Sequence, residues 1–326
     1  MFFARADQIA QPLFVLSSVF NSPRWRSRWK LYEDFARMVE HSGAILYTVE
    51  VAFGSRDFVV TRPDNPCHLQ LRTRDELWHK EDAINLLAQR LPCDWQYVSW
   101  VDADVLFLRS DWANETLHQL QHFDVVQMWD TAQDLGPHYE TIQKHHGFVH
   151  SWRNPPPSHK AIHFPPYHGG PGPDGTIEYH PGFAWAFRRD AWEQLGGLLD
   201  TAICGAADNH MARGLFGIAT KGLPKGLTDG YKSPVVRWQA RAERHIQQRV
   251  GVVEGQVVHF YHGPKANRRY WDRWKILVEC QFDPATDVKR DSQGLWQLVT
   301  ETSRQQRLRQ LLHDYFRQRD EDAHLD

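Results

Sequence analysis

The sequence predicts an α/β fold with a central, mostly parallel sheet flanked by helices. Three observations predict it. The chain opens with a strand–helix–strand unit, a β-rich run at residues 97–107 is interrupted only by Asp102 and Asp104, and apolar strands alternate with amphipathic helices again beyond residue 180. Parallel strands joined through a helix imply right-handed crossovers and leave the carboxyl edge of the sheet open to a ligand. A chain of 326 residues can bury a large core, as one domain or two.

Taken in order, Leu13–Phe20 reads as a buried first strand closed by a turn at Asn21-Ser22-Pro23. Residues 25–41 place Trp29, Tyr32, Phe35 and Val39 at helical spacing and stop before Gly43, and residues 44–51 give the second strand. Asn21, Arg24 and Arg26, in the loop after the first strand, are either ligand-facing or solvated turn residues. Short strands are expected at 58–60 and 69–71. A helix is expected from Thr73 or Asp75 to about Leu91, stopped by Pro92. Its apolar face (Leu77, Ile84, Ala88, Leu91) also carries Glu81, a carboxylate that is either paired locally or functional.

In residues 97–107 the Val, Tyr, Trp and Phe side chains suit a buried strand, where two unpaired carboxylates are costly. Asp-rich turns supply one explanation of Asp102 and Asp104. A divalent cation supplies the other, since Mg²⁺ or Mn²⁺ takes oxygen ligands and bridges carboxylates to phosphates. A helix at 111–122 and a strand at 124–129 follow.

Residues 131–180 change character. They are rich in Pro, Gly and His (Pro155-Pro156-Pro157, Pro165-Pro166, Gly169-Gly170-Pro171-Gly172-Pro173) and show little periodicity. The aromatic and histidine content (Tyr139, His145, His146, Trp152, His163, Tyr167, His168) predicts a long, ordered, irregular binding loop. A strand returns at 181–187, then a helix at 189–195 closed by Gly196-Gly197. Residues 205–213 start another helix with Asp208 near its N-terminus, where the helix dipole favours it or a cleft uses it. The helix at 235–250 has Val235, Trp238, Ala242 and Ile246 on one face and Arg237, Arg241 and Arg244 on the other. Residues 256–263 bring His259 and His262 to the end of a further strand. Histidine ligates Mn²⁺, Fe²⁺ or Zn²⁺, and Lys265, Arg268 and Arg269 just beyond suit phosphate oxygens. A last amphipathic helix (Leu308, Leu311, Leu312, Tyr315) ends in a tail from Arg317, expected to fray.

Composition narrows the function. A net charge of -2 excludes a general polyanion binder. Cys67, Cys93, Cys204 and Cys280 lack metal-type spacing and read as reduced thiols. No apolar run approaches the roughly 20 residues of a membrane span, and Leu13–Phe20 is too short for a secretory leader, so a cytoplasmic protein is expected. The 14 tryptophans serve either the core or sugar-stacking surfaces.

Over about residues 12–280 the chain resembles glycosyltransferases of the GT-A fold, nucleotide-sugar-dependent enzymes with one Rossmann-like domain. Asp102-Ala103-Asp104 matches their Asp-x-Asp, which holds a divalent metal, usually Mn²⁺, on the donor diphosphate. Pro181-Gly182-Phe183-Ala184-Trp185-Ala186 with Leu195-Gly196-Gly197 resembles the stretch beside the donor sugar. Residues 205–209 resemble the Gly-Glu-Asp-Asn segment of inverting members, whose Asp is the general base. His259-Phe260-Tyr261-His262 is similar to the late metal-ligand segment of β-1,4-galactosyltransferases. Ala207 stands where the family has Glu, and the Pro/Gly/His-rich loop has no counterpart.

The resemblance implies a hexosyltransferase-like enzyme using Mn²⁺ (or Mg²⁺) and a UDP-sugar. It implies Asp104, His262, His259 and Asp102 at the metal, with Asp102 also suited to the ribose. Asn21, Arg24, Lys265, Arg268 and Trp185 would serve the donor, and Asp208 would be the base. Residues 1–285 would form the transferase domain, with a nucleotide-sugar half to about 130 and an acceptor half, including the long acceptor-side loop, beyond it. Residues 286–326 would be a helical extension. Two rival readings remain. One is a sugar nucleotidyltransferase, which would normally carry a Gly-rich loop after the first strand. The other is a non-catalytic carbohydrate-binding or scaffold protein. The acceptor (glycan, protein, lipid or modified nucleic acid) and the oligomeric state stay open.

Overall fold

The computed structural model describes residues 11–155, 175–270 and 272–323. In chain order the elements are β1 (Leu13–Phe20), α1 (Arg26–His41), β2 (Ile45–Phe53), β3 (His68–Thr73), α2 (Lys80–Ala88), β4 (Tyr97–Val101), β5 (Val105–Phe107), α3 (Trp112–Gln119), β6 (Val125–Gln127) and β7 (Thr131–Leu135). There follow β8 (Thr141–Gly147), α4 (Phe148–Arg153), β9 (Ile177–His180), β10 (Ala184–Arg188), α5 (Arg189–Leu195), α6 (Ala207–Leu215) and α7 (Asp229–His245). The chain closes with β11 (Val250–Val252), β12 (Gln256–His259), α8 (Trp274–Glu279), α9 (Pro284–Asp287), β13 (Val288–Arg290), β14 (Trp296–Leu298) and α10 (Ser303–Arg317).

Seven strands form the central sheet, in the order β11-β6-β10-β4-β1-β2-β3. All neighbours are parallel except β10, which runs antiparallel between β4 and β6. The period-2 pattern of β1 feeds both faces of this sheet. Leu13, Val15 and Val19 pack with Tyr32, Phe35 and Val39 of α1 on one side, whereas Phe14, Leu16 and Phe20 join Leu77, Ile84 and Leu87 around α2 on the other. Both faces are covered, as a mostly parallel sheet requires. Among the described residues no helix is long and apolar enough to cross a membrane.

Several expectations need correction. Residues 97–107 are not one strand. β4 belongs to the central sheet, while β5 lies in a second, five-stranded sheet of order β5-β12-β7-β8-β9. Residues 131–180 are not one irregular loop, because β7, β8, α4 and β9 lie within them and β7, β8 and β9 belong to that second sheet. Residues 156–174 of the stretch, with His163, Tyr167, His168 and most of the prolines and glycines, lie outside the described residues. The helix expected from residue 73 or 75 begins only at Lys80. Before it, Asp75 accepts from the Leu298 amide at 2.8 Å and pairs with Arg309 at 3.1 Å, and the Trp78 amide donates to the Ile203 carbonyl. Long-range partners keep that segment out of the helix. Of the tail after Arg317, expected to fray, residues 318–323 are described and packed, with Arg319 and Glu321 only 4% and 3% exposed.

Residues 58–60, expected as a strand, are held by a side chain instead. The buried Glu50 carboxylate of β2 accepts from the amides of Val59 (2.7 Å), Val60 (3.0 Å) and Thr61 (2.9 Å) and from the Thr61 hydroxyl (2.7 Å). Replacing Glu50 with Ala orphans those donors and should lower unfolding stability by about 1–3 kcal/mol in urea titrations. A Glu50→Ala protein as stable as wild type would contradict this account of the 58–61 segment.

Candidate active site and metal centre

The Asp102-Ala103-Asp104 segment is the crossing between the two sheets. On the central-sheet side the Asp102 amide donates to the Phe183 carbonyl at 2.8 Å, and on the other side the Asp104 carbonyl accepts from the Phe260 amide at 2.9 Å. These two bonds tie the segment to the residue before β10 and to the residue after β12. Asp104 is thereby carried toward the histidines at the end of β12.

The Asp104 carboxylate lies 3.0 Å from His262 Nε2 and 3.8 Å from His259 Nε2, and the two Nε2 atoms are 3.1 Å apart. All three groups can present ligand atoms within 4.8 Å of one another. His259 Nδ1 is occupied by Asp134 Oδ1 at 2.8 Å, and strand register puts Asp134 of β7 directly beside His259 of β12. That bond keeps a proton on Nδ1 and turns Nε2 toward Asp104 and His262. Two imidazole nitrogens and a carboxylate at this spacing fit a transition ion such as Mn²⁺ better than Mg²⁺. The electrostatics agree. Burial alone would raise the Asp104 carboxyl, but His262 and His259 hold it well below the usual carboxylate range. Burial would likewise lower His259, yet Asp104 and Asp134 push it up to about 9, so the pocket favours a positive charge at that ring.

Asp134 binds more than His259. It also pairs with His145 Nε2 at 2.6 Å and with the Lys265 ammonium. Lys265 is therefore tied to a carboxylate, and Arg269 is similarly tied to Asp272. Arg268 and Arg273 differ. Both are buried, both line the cleft, and neither has a carboxylate partner among the described residues. Arg268 Nη1 reaches only the Tyr270 hydroxyl (3.1 Å) and Arg273 Nη1 only that of Tyr315 (3.5 Å), while both Nε atoms lack a hydrogen-bond partner. Buried guanidinium groups that make no direct ion pair are suited to an anion.

Across the cleft from the histidines stands a second charged group. Lys80, at the start of α2, is 3.1 Å from Asp102 Oδ1 and 3.6 Å from Glu81 Oε1, with its ammonium 4.3 Å from the centre of the Trp100 ring. Burial would lower the Lys80 pKa, but Asp102 and Glu81 more than reverse the effect. Asp102 thus faces an ammonium, and its carboxylate stands apart from the three converging ligands. Glu81 is fully buried and its Oε1 has no hydrogen-bond partner; burial pushes its pKa up to about 7 against the pull of Lys80. Asp208, in the first turn of α6, lines the same cavity, with Oδ1 accepting from the Asn209 amide at 2.8 Å.

The cavity holding all these groups has a volume of about 570 Å³. Among the sequence-derived candidates it brings together Asp102, Asp104, His259, His262, Lys265, Arg268 and Asp208. Three others lie elsewhere. Asn21 uses both ends of its amide on the Trp25 backbone, at 2.8 Å each, and shapes the entry to α1. Arg24 has φ +65° and lies over the Trp29 ring. Trp185 is in the core, its indole N–H donating to the Pro181 carbonyl at 2.7 Å. Lys80, Asp134 and Arg273 were not singled out from the sequence. Lys80 is adjacent to the flagged Glu81, and a buried lysine beside a carboxylate was the missed signal.

No protein-family profile and no curated protein matches the sequence. Among solved structures, the chain is similar to a Drosophila β1,4-galactosyltransferase 7 variant in complex with manganese, UDP-Gal and xylobiose, at 13% identity and TM-score 0.32, over 66% of this chain and 63% of that one. The catalytic domain of the Drosophila enzyme with xylobiose gives 13% identity and TM-score 0.31, over 65% of this chain and 63% of that one. The chain thus spans under two thirds of the length of these galactosyltransferase structures. A nucleotide-diphospho-sugar transferase structure from Desulfovibrio desulfuricans, so named provisionally, is similar at 12% identity and TM-score 0.33, over 93% of this chain and 97% of that one.

Proposed function

We propose that this chain is a metal-dependent glycosyltransferase that moves a sugar from a nucleoside diphosphate sugar, UDP-sugars first among them, to an acceptor hydroxyl with inversion. The observation that carries this reading is the convergence of Asp104, His259 and His262 on one point of a cavity that also holds Asp208 and two buried arginines without a direct ion pair among the described residues.

A divalent ion bound there would neutralise charge on the departing diphosphate. Asp104, His259 and His262 would hold that ion, with Asp134 fixing the His259 ring. Arg268 and Arg273 meet the developing negative charge from fixed positions in a cleft walled off from much of the solvent, where such stabilisation is strongest. Lys80 holds the Asp102 carboxylate in place for a ribose hydroxyl. Asp208 takes the proton of the attacking hydroxyl. Glu81 supplies the reason to test a second base, because a carboxyl with a pKa of about 7 is well matched to proton transfer near neutrality.

Asp104→Asn and His262→Ala should each abolish Mn²⁺-dependent release of UDP from a hydrolysed or transferred UDP-sugar, by at least about 100-fold in kcat/KM. Unchanged turnover in both proteins would sink the metal assignment. Asp208→Asn should lower kcat by roughly 10²–10⁴-fold with donor binding retained. If Asp208→Asn stays active while Glu81→Gln fails, Glu81 is the base.

Glu81 also leaves a mark on stability. Its folded-state pKa of about 7 lies above the ordinary 4.5, so the folded chain holds this proton more tightly than the unfolded one. Stability from that proton is full below about 4.5 and is lost as pH rises through 7. In urea unfolding of chelator-treated protein between pH 4.5 and 8, Glu81→Gln should show a flatter pH dependence than wild type. Parallel curves would mean that Glu81 is ionised in the folded state.

A further inference from the structure

The residues after α10 fold back onto the metal side of the cleft. Glu321 receives Arg319 Nε at 2.7 Å and Arg28 Nη2 at 2.8 Å on one carboxylate oxygen, and Arg28 Nε at 2.5 Å on the other. Asp322 accepts from the amides of Arg26 (2.7 Å) and Ser27 (2.9 Å), the exposed donors at the start of α1. The tail backbone also lies against the loop that carries His262. The next residue, Gly263, has φ +89°, and a Cβ built there would sit 2.7 Å from the Asp320 carbonyl oxygen and 2.8 Å from that of Arg319. Only glycine fits between the two segments.

This packing places one carboxylate opposite the second histidine. His262 Nδ1 is buried without a hydrogen-bond partner, and Glu321 Oε2 faces it at 3.6 Å. We propose that Glu321 is a positioning residue for His262, so that the C-terminal tail is a working part of the metal centre. The inference rests on the metal reading above. Asp134 stands at Nδ1 of His259, and Glu321 stands at Nδ1 of His262. A carboxylate at Nδ1 favours the proton on that nitrogen and so makes Nε2, which lies 3.0 Å from Asp104, the nitrogen that a metal ion would take. Arg28 and Arg319 hold Glu321 in that position. Asp322 anchors the segment to α1, which begins just beyond the first strand of the sheet. The centre therefore depends on a residue 59 positions after the histidine it serves, at the far end of the chain.

A purely structural ion cluster would alter stability alone, so the test reads the metal and the imidazole. Mn²⁺ titration by calorimetry on the full chain should show binding by wild type, an affinity loss of roughly 10–100-fold in Glu321→Gln, and partial recovery in Glu321→Asp. Nitrogen NMR of ¹⁵N-histidine-labelled, metal-free protein should show His262 moving from one tautomer toward a mixture in Glu321→Gln. By reciprocity, saturating Mn²⁺ should slow amide exchange at residues 318–323 of wild type. Glu321→Gln binding Mn²⁺ within about twofold of wild type, with His262 signals unmoved, overturns the role of Glu321 and leaves the metal reading standing. Wild type that binds no Mn²⁺ overturns the metal reading and this inference with it. Should Glu321→Gln fail to fold, wild-type exchange decides, and a tail indifferent to Mn²⁺ rejects the proposal.

Discussion

The site depends on a single backbone crossing. β4 is buried in the central sheet, β5 begins in the second one after three intervening residues, and those residues satisfy backbone groups by bonding to both sides. The Asp102 amide bonds to Phe183 and the Asp104 carbonyl to Phe260, which leaves both side chains at the seam between the sheets. Phe183 adopts φ +75° to make its half of this junction, and its ring stacks on His180 and leans on His259. Such a conformation persists only where surrounding contacts over-determine it. The spacing of two carboxylates one residue apart thus assigns them to different neighbourhoods, one facing Lys80 and the other facing two histidines.

That division organises the charges of the cleft. On the α2 side a lysine sits among Asp102, Glu81 and Asp208, so acidic groups already outnumber their local cation. On the β12 side Asp104 and Asp134 face His259, His262 and Lys265, and beyond them Arg268 and Arg273 make no direct ion pair among the described residues. Buried charge is tolerated only when compensated. An anionic ligand against the arginines and a cation between Asp104 and the histidines would complete both halves together. A metal–diphosphate pair has that charge pattern, whereas a neutral sugar bound alone would leave the arginines uncompensated. This is the physical reason to prefer a nucleotide-sugar enzyme over a carbohydrate-binding module.

Much of the central sheet was legible because its signals are local. β1 and α5 fall where periodicity and the Gly196-Gly197 stop put them, and α1 differs by one residue. Asp104, His259 and His262 were also legible, since acids and histidines at strand ends are conspicuous against apolar runs. What stayed hidden was set by distant partners. The second sheet could not be read from residues 131–180, where polar and apolar residues mix and Asp134 looks like any loop acid until β7 lies parallel to β12. The 74–79 segment looks helical until Leu298, Arg309 and Ile203 claim its polar groups. Trp185 and Asn21 carry the right chemistry for a site, but burial spends one on the core and the other on a turn.

The same dependence on distance bears on how the chain can be divided. Residues after 286 touch the rest at sites that matter for α2 and for the His262 side of the cleft alike. Arg290 pairs with Asp82 and Asp200, Leu298 and Arg309 hold Asp75, and His313 and Arg317 both pair with Glu76. Asp75, Glu76 and Asp82 bracket Lys80 and Glu81, so the C-terminal segment fixes where the α2 side of the cleft begins. Its last residues then reach across to α1 and His262. A polypeptide ending near residue 285 would keep every candidate ligand and lose the supports that aim two of the charged groups. The cleft is lined by residues of β1 and α1 as well as by Arg319 beyond α10, so its geometry is a property of the whole fold and not of the Asp-x-Asp segment alone.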